Sequence, residues 1–533
     1  MAEREREYKP LLFTTTVRNP SRVKALLYVL RKFDGQILTD GLATKIVGEA
    51  IRYGLYRPMK KTEQIREKWR NMPEGEFGRV LLTDREVAYM ISHNPQKHKE
   101  AGFDWGYPSR FATIFDFAKE LGLVYFWPNE PIFFSEIGKM MSEVYSVETS
   151  GDGQIFVTEE HPEYEQMVFL HAMAKSQRRN PFVKVLNDNI PLVLLLQTIK
   201  KLNADPDFNG CGIARHELPL LIFWKDNDAE ALYQRIKALR REYRYSPSDE
   251  VIVDICVEEI MEGKLKKFKP KSIMDEYPDE FIRKMRATGL VSLRGAGRFI
   301  DINHNEDAKV EYVLEHYSSY TSYAAATERE YFDYMAEVDT GLLEIRAVQV
   351  TASQSEALLL DWVNQYNWDQ IKMELDILSR RDSSRDDVLK FLPAPVRLEF
   401  LTALAIKTKL PAIRVIPNYA CDDTGLPTST AGGNIGDIEC IENPNGVLVE
   451  VTMAEGRTQT MMEVWPIGRH IDSFVEKYGL SSQCVFIAPS VFQDTTKQFD
   501  YLRFTEGKLI RPYRINDFIA YLDSTEQLYE TVH

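Results

Sequence analysis

The pattern of apolar residues along this chain of 533 residues changes near residue 391. Before that point the sequence favours helices interrupted by short hairpins. After it helix and strand patterns alternate, which is typical of an α/β domain. At roughly 150 residues per domain, a chain of this length is expected to form three or four domains. The sequence therefore predicts a multidomain protein that is mainly α in its N-terminal part and α/β in its C-terminal part.

Composition excludes several classes of protein. The chain is 44% hydrophobic and 27% charged, which is ordinary for a soluble globular protein. Its longest apolar run, residues 190–196, is far shorter than the roughly 20 residues that a membrane span needs. The first residues carry no apolar signal segment, and the five cysteines are scattered without a CxxC pair. We therefore expect a cytoplasmic protein without a membrane partner, a disulfide framework or a zinc finger.

The formal net charge of −14 hides an uneven distribution of charge. Residues 1–75 contain 16 basic and 9 acidic side chains, and residues 264–298 contain 10 basic and 4 acidic ones. Such segregation indicates basic surfaces that face an anion, with acidic surfaces elsewhere. The alternative is that solvated helix faces vary in charge by chance.

Two segments of the N-terminal part share one local pattern. Residues 108–121 and 278–288 each read as a helix that ends at a glycine and feeds two short strands around a tight turn. A helix followed by a small hairpin is typical of a winged helix-turn-helix module, which binds the major groove of DNA. The pattern predicts two winged-helix DNA-recognition subdomains at residues 1–145 and 146–305, a helical linker at 306–388, and the α/β domain at 389–533.

A basic amphipathic helix is predicted between the two repeats, over residues 228–243. Its arginines could neutralise the phosphates of a DNA backbone, although an ordinary helix with a solvated basic face has the same pattern. Arginines in and near the predicted recognition segments are the candidates for DNA contacts: Arg178, Arg179, Arg240, Arg241, Arg286 and Arg294.

The C-terminal domain contains a predicted hairpin that carries two acidic residues. Residues 438–442 and 447–451 are separated by Asn-Pro-Asn-Gly, which favours a tight turn. With the turn centred at 444–445, Asp437 lies opposite Thr452, and Glu450 is its diagonal neighbour on the same face, within about 7–8 Å. Two such carboxylates can share Mg²⁺, a cation that activates water and stabilises charge on a phosphoryl oxygen. The alternative is a pair of ordinary strand residues facing solvent.

Three further groups extend this candidate site. Glu463 and His470 follow Glu450 closely, and Glu399 lies on an upstream helix whose other face is apolar. Clustered carboxylates repel one another unless a cation is present, and an imidazole beside them can hold a phosphate or move a proton. Taken singly, each of the three could be an ordinary surface residue.

The order of these motifs resembles the AlwI family of type IIS restriction endonucleases, which is related to the BstNBI-type nicking endonucleases. The matching elements are a helix with Glu399, Gly-Asn-x-x-Asp437, Val-Glu450-Val-Thr452, Met462-Glu463-x-x-Pro466-x-x-Arg469-His470 and Phe486-Ile-Ala-Pro489. The resemblance implies a C-terminal PD-(D/E)XK nuclease domain with a mixed sheet, joined by a helical linker to an N-terminal winged-helix recognition region. It also implies that Asp437, Glu450, Glu463, His470 and Glu399 form the catalytic centre, with Asp437, Glu450 and Glu463 as metal ligands.

The same resemblance implies a function. We expect a Mg²⁺-dependent endonuclease of the prokaryotic cytoplasm that binds a short asymmetric site in double-stranded DNA and cuts a few base pairs outside it. Cutting the second strand implies a transient homodimer or a separate small catalytic subunit, and host protection implies a cognate DNA methyltransferase. Three alternatives stay open: a nicking large subunit of a heterodimer, a non-cleaving winged-helix regulator, and a repair or recombination nuclease.

The sequence departs from the general nuclease pattern at Thr452, where a lysine often stands two residues after the glutamate. The AlwI-like pattern also has threonine there, so this departure is compatible with activity. The role of the usual lysine is left to Arg457, Gln459 or His470, and the sequence does not choose among them.

Overall fold

The computed structural model describes residues 6–530 apart from 13–19, 21, 71, 73–74, 98, 209, 264–267, 349 and 433–434. The chain divides into two compact units, Met1–Ala347 and Val348–His533, which we call unit 1 and unit 2. No helix among the described residues is both long enough and apolar enough to cross a membrane.

Unit 1 is mainly helical. Several of its helices begin at a capping residue such as Thr39 or Thr83, whose hydroxyl accepts a backbone N–H of the first turn. The described helices are α1 Arg22–Arg31, α2 Asp40–Arg52, α3 Glu63–Lys68, α4 Asp84–His93, α5 Tyr107–Glu120, α6 Glu136–Ser142, α7 Pro162–Lys175, α8 Pro191–Ala204, α9 Leu218–Phe223, α10 Ala229–Tyr243, α11 Asp249–Asp254, α12 Tyr277–Arg286, α13 Asp307–Tyr317, α14 Glu328–Ala336 and α15 Thr340–Glu344.

Short antiparallel hairpins connect the helices of unit 1. The strands are β1 Val124–Tyr125, β2 Phe133–Phe134, β3 Tyr145–Thr149, β4 Ile155–Glu159, β5 Ile213–Ala214, β6 Val291–Arg294 and β7 Phe299–Ile302. Helix α5 feeds the hairpin β1–β2, and helix α12 feeds the hairpin β6–β7. The predicted helix–hairpin pattern is therefore present at both places.

Most residues of the two helices of this pattern are buried within unit 1. Eleven of the 14 residues of α5 are buried, and the rest are half-buried. Helix α12 has no fully exposed residue. A recognition helix must offer several side chains to base edges, so the winged-helix assignment of these two segments is not confirmed.

Helix α10 is amphipathic as predicted, with Leu232, Ile236 and Leu239 buried. Its basic face, however, is matched by carboxylates of unit 1, which lowers the charge that it could offer to phosphates. The ion pairs are Arg235–Glu259 at 2.7 Å, Lys237–Asp205 at 2.5 Å, Arg240–Glu217 at 2.7 Å and Arg241–Asp207 at 3.2 Å.

Unit 2 is an α/β structure. Its helices are α16 Ala352–Val363, α17 Trp368–Ser379, α18 Ala394–Lys409, α19 Gly456–Tyr478, α20 Gln493–Glu506 and α21 Ile515–Ser524. Its strands are β8 Arg414–Pro417, β9 Tyr419–Cys421, β10 Pro427–Ala431, β11 Ile438–Glu442, β12 Asn445–Val451, β13 Ser481–Ala488 and β14 Ile510–Arg514. The predicted linker, residues 306–388, thus contributes α13, α14 and α15 to unit 1 and α16 and α17 to unit 2.

The main sheet of unit 2 is mixed, as predicted. Its strand order is β14-β13-β12-β11-β8; β8, β11 and β12 pair antiparallel, whereas β12, β13 and β14 pair parallel. One face packs against α19 and α20 through apolar residues such as Leu448, Ile471 and Phe486. Helix α18 packs against β8 and β12. The hairpin β11–β12 therefore lies inside the sheet, with a neighbouring strand on each side.

The residues that follow α21 are tied to three strands of this sheet. The Glu442 carboxylate accepts the backbone N–H groups of Leu528 and Tyr529 at 3.2 and 2.9 Å. The Gln483 side-chain oxygen accepts the backbone N–H of Glu530 at 3.1 Å, and Arg511 pairs with the Glu530 carboxylate at 2.6 Å. This segment, residues 528–530, thereby bonds to β11, β13 and β14.

Candidate active site

The register of the hairpin β11–β12 places the two acidic residues closer than the sequence predicted. Ile438 pairs with Val449, and Glu442 pairs with Asn445, so the turn contains only residues 443 and 444. Extended by one residue, this register sets Asp437 directly opposite Glu450, where Cβ atoms are about 4.5–5.5 Å apart. The predicted pairing of Asp437 with Thr452 is wrong, because Asn445 and Gly446 belong to the strand and not to the turn.

Backbone contacts fix Asp437 at the start of β11. Its Oδ2 atom accepts the backbone N–H of Val451 at 2.7 Å, and its carbonyl oxygen accepts the N–H of Asn418 at 2.9 Å. The preceding Gly436 leaves room for this arrangement. A Cβ atom there would lie 2.4 Å from Leu448 and 2.7 Å from Glu450 Oε1, which is closer than atoms approach.

Helix α19 brings two more predicted residues to the same face of the sheet. The Nδ1 atom of His470 lies 2.9 Å from Glu450 Oε1, and both side chains are buried. Seven residues earlier on the helix, the Glu463 carboxylate accepts the hydroxyl of Thr452 at 2.6 Å. Because residues seven apart lie on one face of a helix, α19 presents Glu463 and His470 together.

Glu399 reaches the same cluster from α18. It is buried, and its Oε2 atom accepts the backbone N–H of Ala431 at 3.0 Å. The charges of Asp437 and Glu450 act on it directly. All five residues of the predicted centre are thus brought together in unit 2.

The electrostatics of the cluster oppose the charged form of its carboxylates. Loss of water around Asp437, and then the charge of Glu450, raise the pKa of the Asp437 carboxyl well above its usual range. Burial, followed by the charge of Glu463, does the same to the pKa of Glu450. Burial and then the charge of Asp437 raise the pKa of Glu399 in the same direction.

Burial also raises the pKa of Glu463, against the hydroxyl of Thr452 and the imidazole of His470, which favour its charged form. Among the described residues, no lysine or arginine forms an ion pair with these four carboxylates, and His470 is their one ion-pairing partner. When these carboxyls ionise, no lysine or arginine of the described residues therefore offsets their negative charge.

The donors of the cluster suit a hard divalent cation. Asp437, Glu450 and Glu463 offer carboxylate oxygens, which are the ligands that Mg²⁺ prefers, and bound positive charge would offset their mutual repulsion. No three His, Cys, Asp or Glu side chains within the described ranges already enclose an ion-sized space. The carboxylates must therefore reorient to share one cation.

The three candidates for the role of the missing lysine differ in their surroundings. Gln459 is fully buried, and its amide bonds to the backbone of Ala454, Ser490 and Phe492, so it holds the fold. Arg457 is exposed. His470 is the candidate that contacts Glu450.

Sequence reasoning missed Arg381, which lies in the segment that it predicted to be a helical linker. Arg381 has a φ of 61°, a left-handed conformation that is uncommon for a residue with a side chain. Its side chain is largely buried, and its guanidinium donates to the Met453 carbonyl and, at 2.9 Å, to the Glu455 carboxylate. It thereby ties down the loop between Thr452 and α19. No periodicity or motif signals this contact.

A second buried carboxylate lies on the same sheet face, two residues after Asp437. Glu439 accepts hydrogen bonds from Lys477 Nζ at 3.0 and 2.8 Å and from the Tyr478 hydroxyl at 2.6 Å. Both partners come from the last turn of α19. This carboxylate is neutralised within the fold.

Two of the arginines predicted to contact DNA are instead buried in unit 1. Arg240 is buried and forms two hydrogen bonds with Glu217, both at 2.7 Å. Arg178 is buried and donates to the Leu11 carbonyl, and loss of water lowers its pKa to about 10. Neither guanidinium can reach a base, because the fold of unit 1 encloses both.

The other four candidates are more accessible. Arg241 has a side chain that is 64% exposed. Arg179 lies 3.5 Å from Asp188 and is partly exposed, and Arg286 is half-buried. Arg294 donates to Asp301 and to the Ile302 carbonyl, both at 2.9 Å. These four stay candidates for DNA contacts.

A family model for AlwI restriction endonuclease matches residues 119–390 and 355–520, together well over half of the chain. The small subunit of the heterodimeric restriction endonuclease R.BspD6I is 20% identical, with a TM-score of 0.25 over 29% of this chain and 80% of that one. The restriction endonuclease FokI is 10% identical, with a TM-score of 0.27 over 98% of this chain and 97% of that one. FokI bound to DNA is 11% identical, with a TM-score of 0.24 over 93% and 96%. No curated protein matches the chain significantly.

Proposed function

The chain belongs to the AlwI restriction endonuclease family and is a type II restriction endonuclease, and from this premise we propose that it is a Mg²⁺-dependent enzyme of type IIS. It binds a short asymmetric site in duplex DNA and hydrolyses phosphodiester bonds a few base pairs outside it. The observation that carries the proposal is the buried cluster of Asp437, Glu450 and Glu463, whose charge no lysine or arginine of the described chain neutralises.

The residues of the cluster have distinct roles in this proposal. Asp437, Glu450 and Glu463 hold the cation, and Glu399 supports them from α18. Mg²⁺, when bound, supplies a Lewis acid that stabilises charge on a phosphoryl oxygen and lowers the pKa of water. His470, bonded to Glu450 at 2.9 Å, orients that carboxylate and can take a proton or contact a phosphate.

The number of clusters sets how many strands one chain can cut. The described residues of unit 2 contain one such cluster, so a chain acting alone would nick one strand. A double-strand break needs a second centre, from a transient homodimer or a separate small catalytic subunit. Acting as the large nicking subunit of a heterodimer is the second candidate function, and a single cluster per chain is compatible with it.

Recognition belongs to unit 1 in this proposal. Winged-helix subdomains at residues 1–145 and 146–305 would contact the DNA site, with Arg179, Arg241, Arg286 and Arg294 as candidate contacts. A cognate DNA methyltransferase would protect the host DNA. Both proteins would act in the prokaryotic cytoplasm.

The test is to incubate the full chain with plasmid DNA and Mg²⁺, with and without a chelator. We expect cleavage that the chelator abolishes, and a constant offset from one short sequence when the cut ends are sequenced. Scattered or junction-linked ends would support a repair nuclease instead. Binding without any cleavage would support a regulator and refute the proposal.

A further inference from the structure

Residues 56–61 form a loop between α2 and α3 that is anchored on both sides. On one side the guanidinium of Arg57 donates to three carbonyl oxygens, those of Gly54 at 2.6 Å, Met72 at 2.8 Å and Glu76 at 3.1 Å. The next residue, Pro58, is buried. Arg57 and Pro58 therefore fix the part of the loop that precedes its tip.

On the other side the loop is held by Asn94 at the C-terminal end of α4. The Asn94 side chain accepts the backbone N–H of Lys60 at 2.8 Å and donates to the Lys60 carbonyl at 2.9 Å. It is buried and also donates to the Met90 carbonyl at 2.9 Å. Because these bonds use only the backbone of Lys60, its side chain is not needed to hold the loop.

One residue at the tip of this anchored loop points into solvent. Met59 is 92% exposed and is the most exposed large apolar side chain among the described residues. It is followed by Lys60, which is exposed, and Lys61, whose ammonium lies 5.8 Å from the ring centroid of Trp69. A single exposed apolar side chain followed by two lysines differs from an apolar patch for a protein partner, which is contiguous.

We propose that Met59 is a wedge that inserts between base pairs of the DNA duplex from the minor groove, while Lys60 and Lys61 contact the flanking phosphates. Apolar wedges of this kind unstack a base step and bend the duplex toward more protein surface. Lysines beside the wedge neutralise phosphates and release counterions. A loop that is already ordered loses little conformational entropy on binding. This inference rests on the proposed function only in taking duplex DNA as the ligand.

The test measures DNA binding by the full chain in metal-free buffer, where no cleavage occurs. Two short duplexes are used. One has a mixed sequence, and the other contains the recognition site that is identified by sequencing the ends of cleaved plasmid. We expect Met59→Ala to weaken binding about tenfold, because the apolar contact with the bases is lost. Met59→Leu keeps the apolar volume and should bind within about twofold of the wild type.

The matched control is Met373→Ala, which removes a methionine that is 57% exposed on α17 and should leave binding unchanged. A 2-aminopurine base in the duplex reports unstacking by a rise in fluorescence. We expect that rise with the wild type and with Met59→Leu but not with Met59→Ala. Lys60→Gln should reduce the slope of log affinity against log salt by about one.

Equal DNA affinity and an equal fluorescence rise for Met59→Ala and the wild type would overturn the wedge. Equal losses for Met59→Ala and Met59→Leu would also overturn it, since they would indicate a damaged loop. Failure of the proposed function has a different signature, because a protein that binds but never cuts still gives a readable result on the mixed-sequence duplex.

Discussion

Asp437 and Glu439 lie two residues apart, on one face of the same sheet and beneath the same helix, yet the chain surrounds them differently. Glu439 receives the ammonium of Lys477 and the hydroxyl of Tyr478. Asp437 receives one backbone N–H and faces another carboxylate, Glu450. The last turn of α19 supplies a cation to the first site, whereas the middle of α19 supplies Glu463 to the second.

The difference separates a structural carboxylate from a candidate ligand. A buried carboxylate with a cationic partner is satisfied within the fold, and removing either member leaves the other unpaired. A buried carboxylate beside like charges destabilises the protein unless a cation binds. The two sites should therefore respond in opposite ways to the loss of one charge.

The largest effect is expected at the site without a lysine. Asp437→Asn should lower the rate of DNA cleavage about a thousandfold or more, because a metal ligand is lost. DNA affinity should not change. Gel assays of plasmid cleavage and DNA binding measure the two, and Glu439→Gln is the matched control that keeps cutting. Full cleavage by Asp437→Asn would remove this residue from the site.

Glu439→Gln should show the reverse behaviour. Removing this charge weakens the hydrogen bonds that the buried side chain accepts from Lys477 and Tyr478, so the free energy of unfolding should fall by about 1–3 kcal/mol. Asp437→Asn, in contrast, should leave the metal-free protein at least as stable, since one repulsion with Glu450 is relieved. Urea denaturation in chelator compares the variants. A similar loss of stability in both would abolish the distinction between the two sites.

Arg381 tests whether the loop between β12 and α19 is held from outside the cluster. Arg381→Ala should lower kcat about tenfold and leave KM unchanged, because Thr452 and Glu463 lose their alignment. Arg381→Lys should recover part of the rate through the Glu455 carboxylate. The matched control is Arg380→Ala, next to it and 59% exposed. Equal effects of Arg380→Ala and Arg381→Ala would contradict a positioning role.

The smallest effect is expected in the pH dependence of stability, in which a buried acidic residue of unit 1 can be compared with the candidate site. Burial raises the pKa of Glu120 to about 8. A raised acid pKa means that the folded state retains a proton which the unfolded state has lost. The contribution of Glu120 to stability is therefore fully present at acidic pH and is lost as pH rises toward about 8. Glu120→Gln should flatten this fall in a pH series of melting temperatures.

The carboxylates of the candidate site have pKa values raised in the same direction, so they add to the same loss of stability. Mg²⁺ should restore the part due to Asp437 and Glu450 and leave the part due to Glu120. Melting temperatures in chelator and in Mg²⁺ separate the two contributions. A Mg²⁺ effect that persists in Asp437→Asn would place the cation elsewhere.

For unit 2 the sequence predicted the strands of the hairpin more accurately than the register in which they pair. Alternation identified both strands of the hairpin, but Asn445 and Gly446 have turn chemistry and nonetheless pair in β12, which shifted the predicted register by two residues. The gathering of Glu399 with Asp437 depended on a family resemblance, because no spacing rule joins a helix to a strand 38 residues later.

In unit 1 the sequence predicted a helix and its apolar face but not the contacts of its charged residues. The apolar face of α10 was predicted correctly from its periodicity. The partners of its basic face were not, since Glu217 and Glu259 are matched to Arg240 and Arg235 only by tertiary packing. Charge along a sequence therefore does not distinguish an arginine that binds DNA from one that the fold already neutralises.

The strand order of the main sheet also has a consequence for biosynthesis. The hairpin with Asp437 and Glu450 lies beside β13, and residues 528–530 bond to β11, β13 and β14. Domains emerge from the ribosome with their N-terminal parts first. The sheet that carries the candidate site is thus completed only after β13, β14 and residues 528–530 have been translated, so unit 1 leaves the ribosome before that sheet can close.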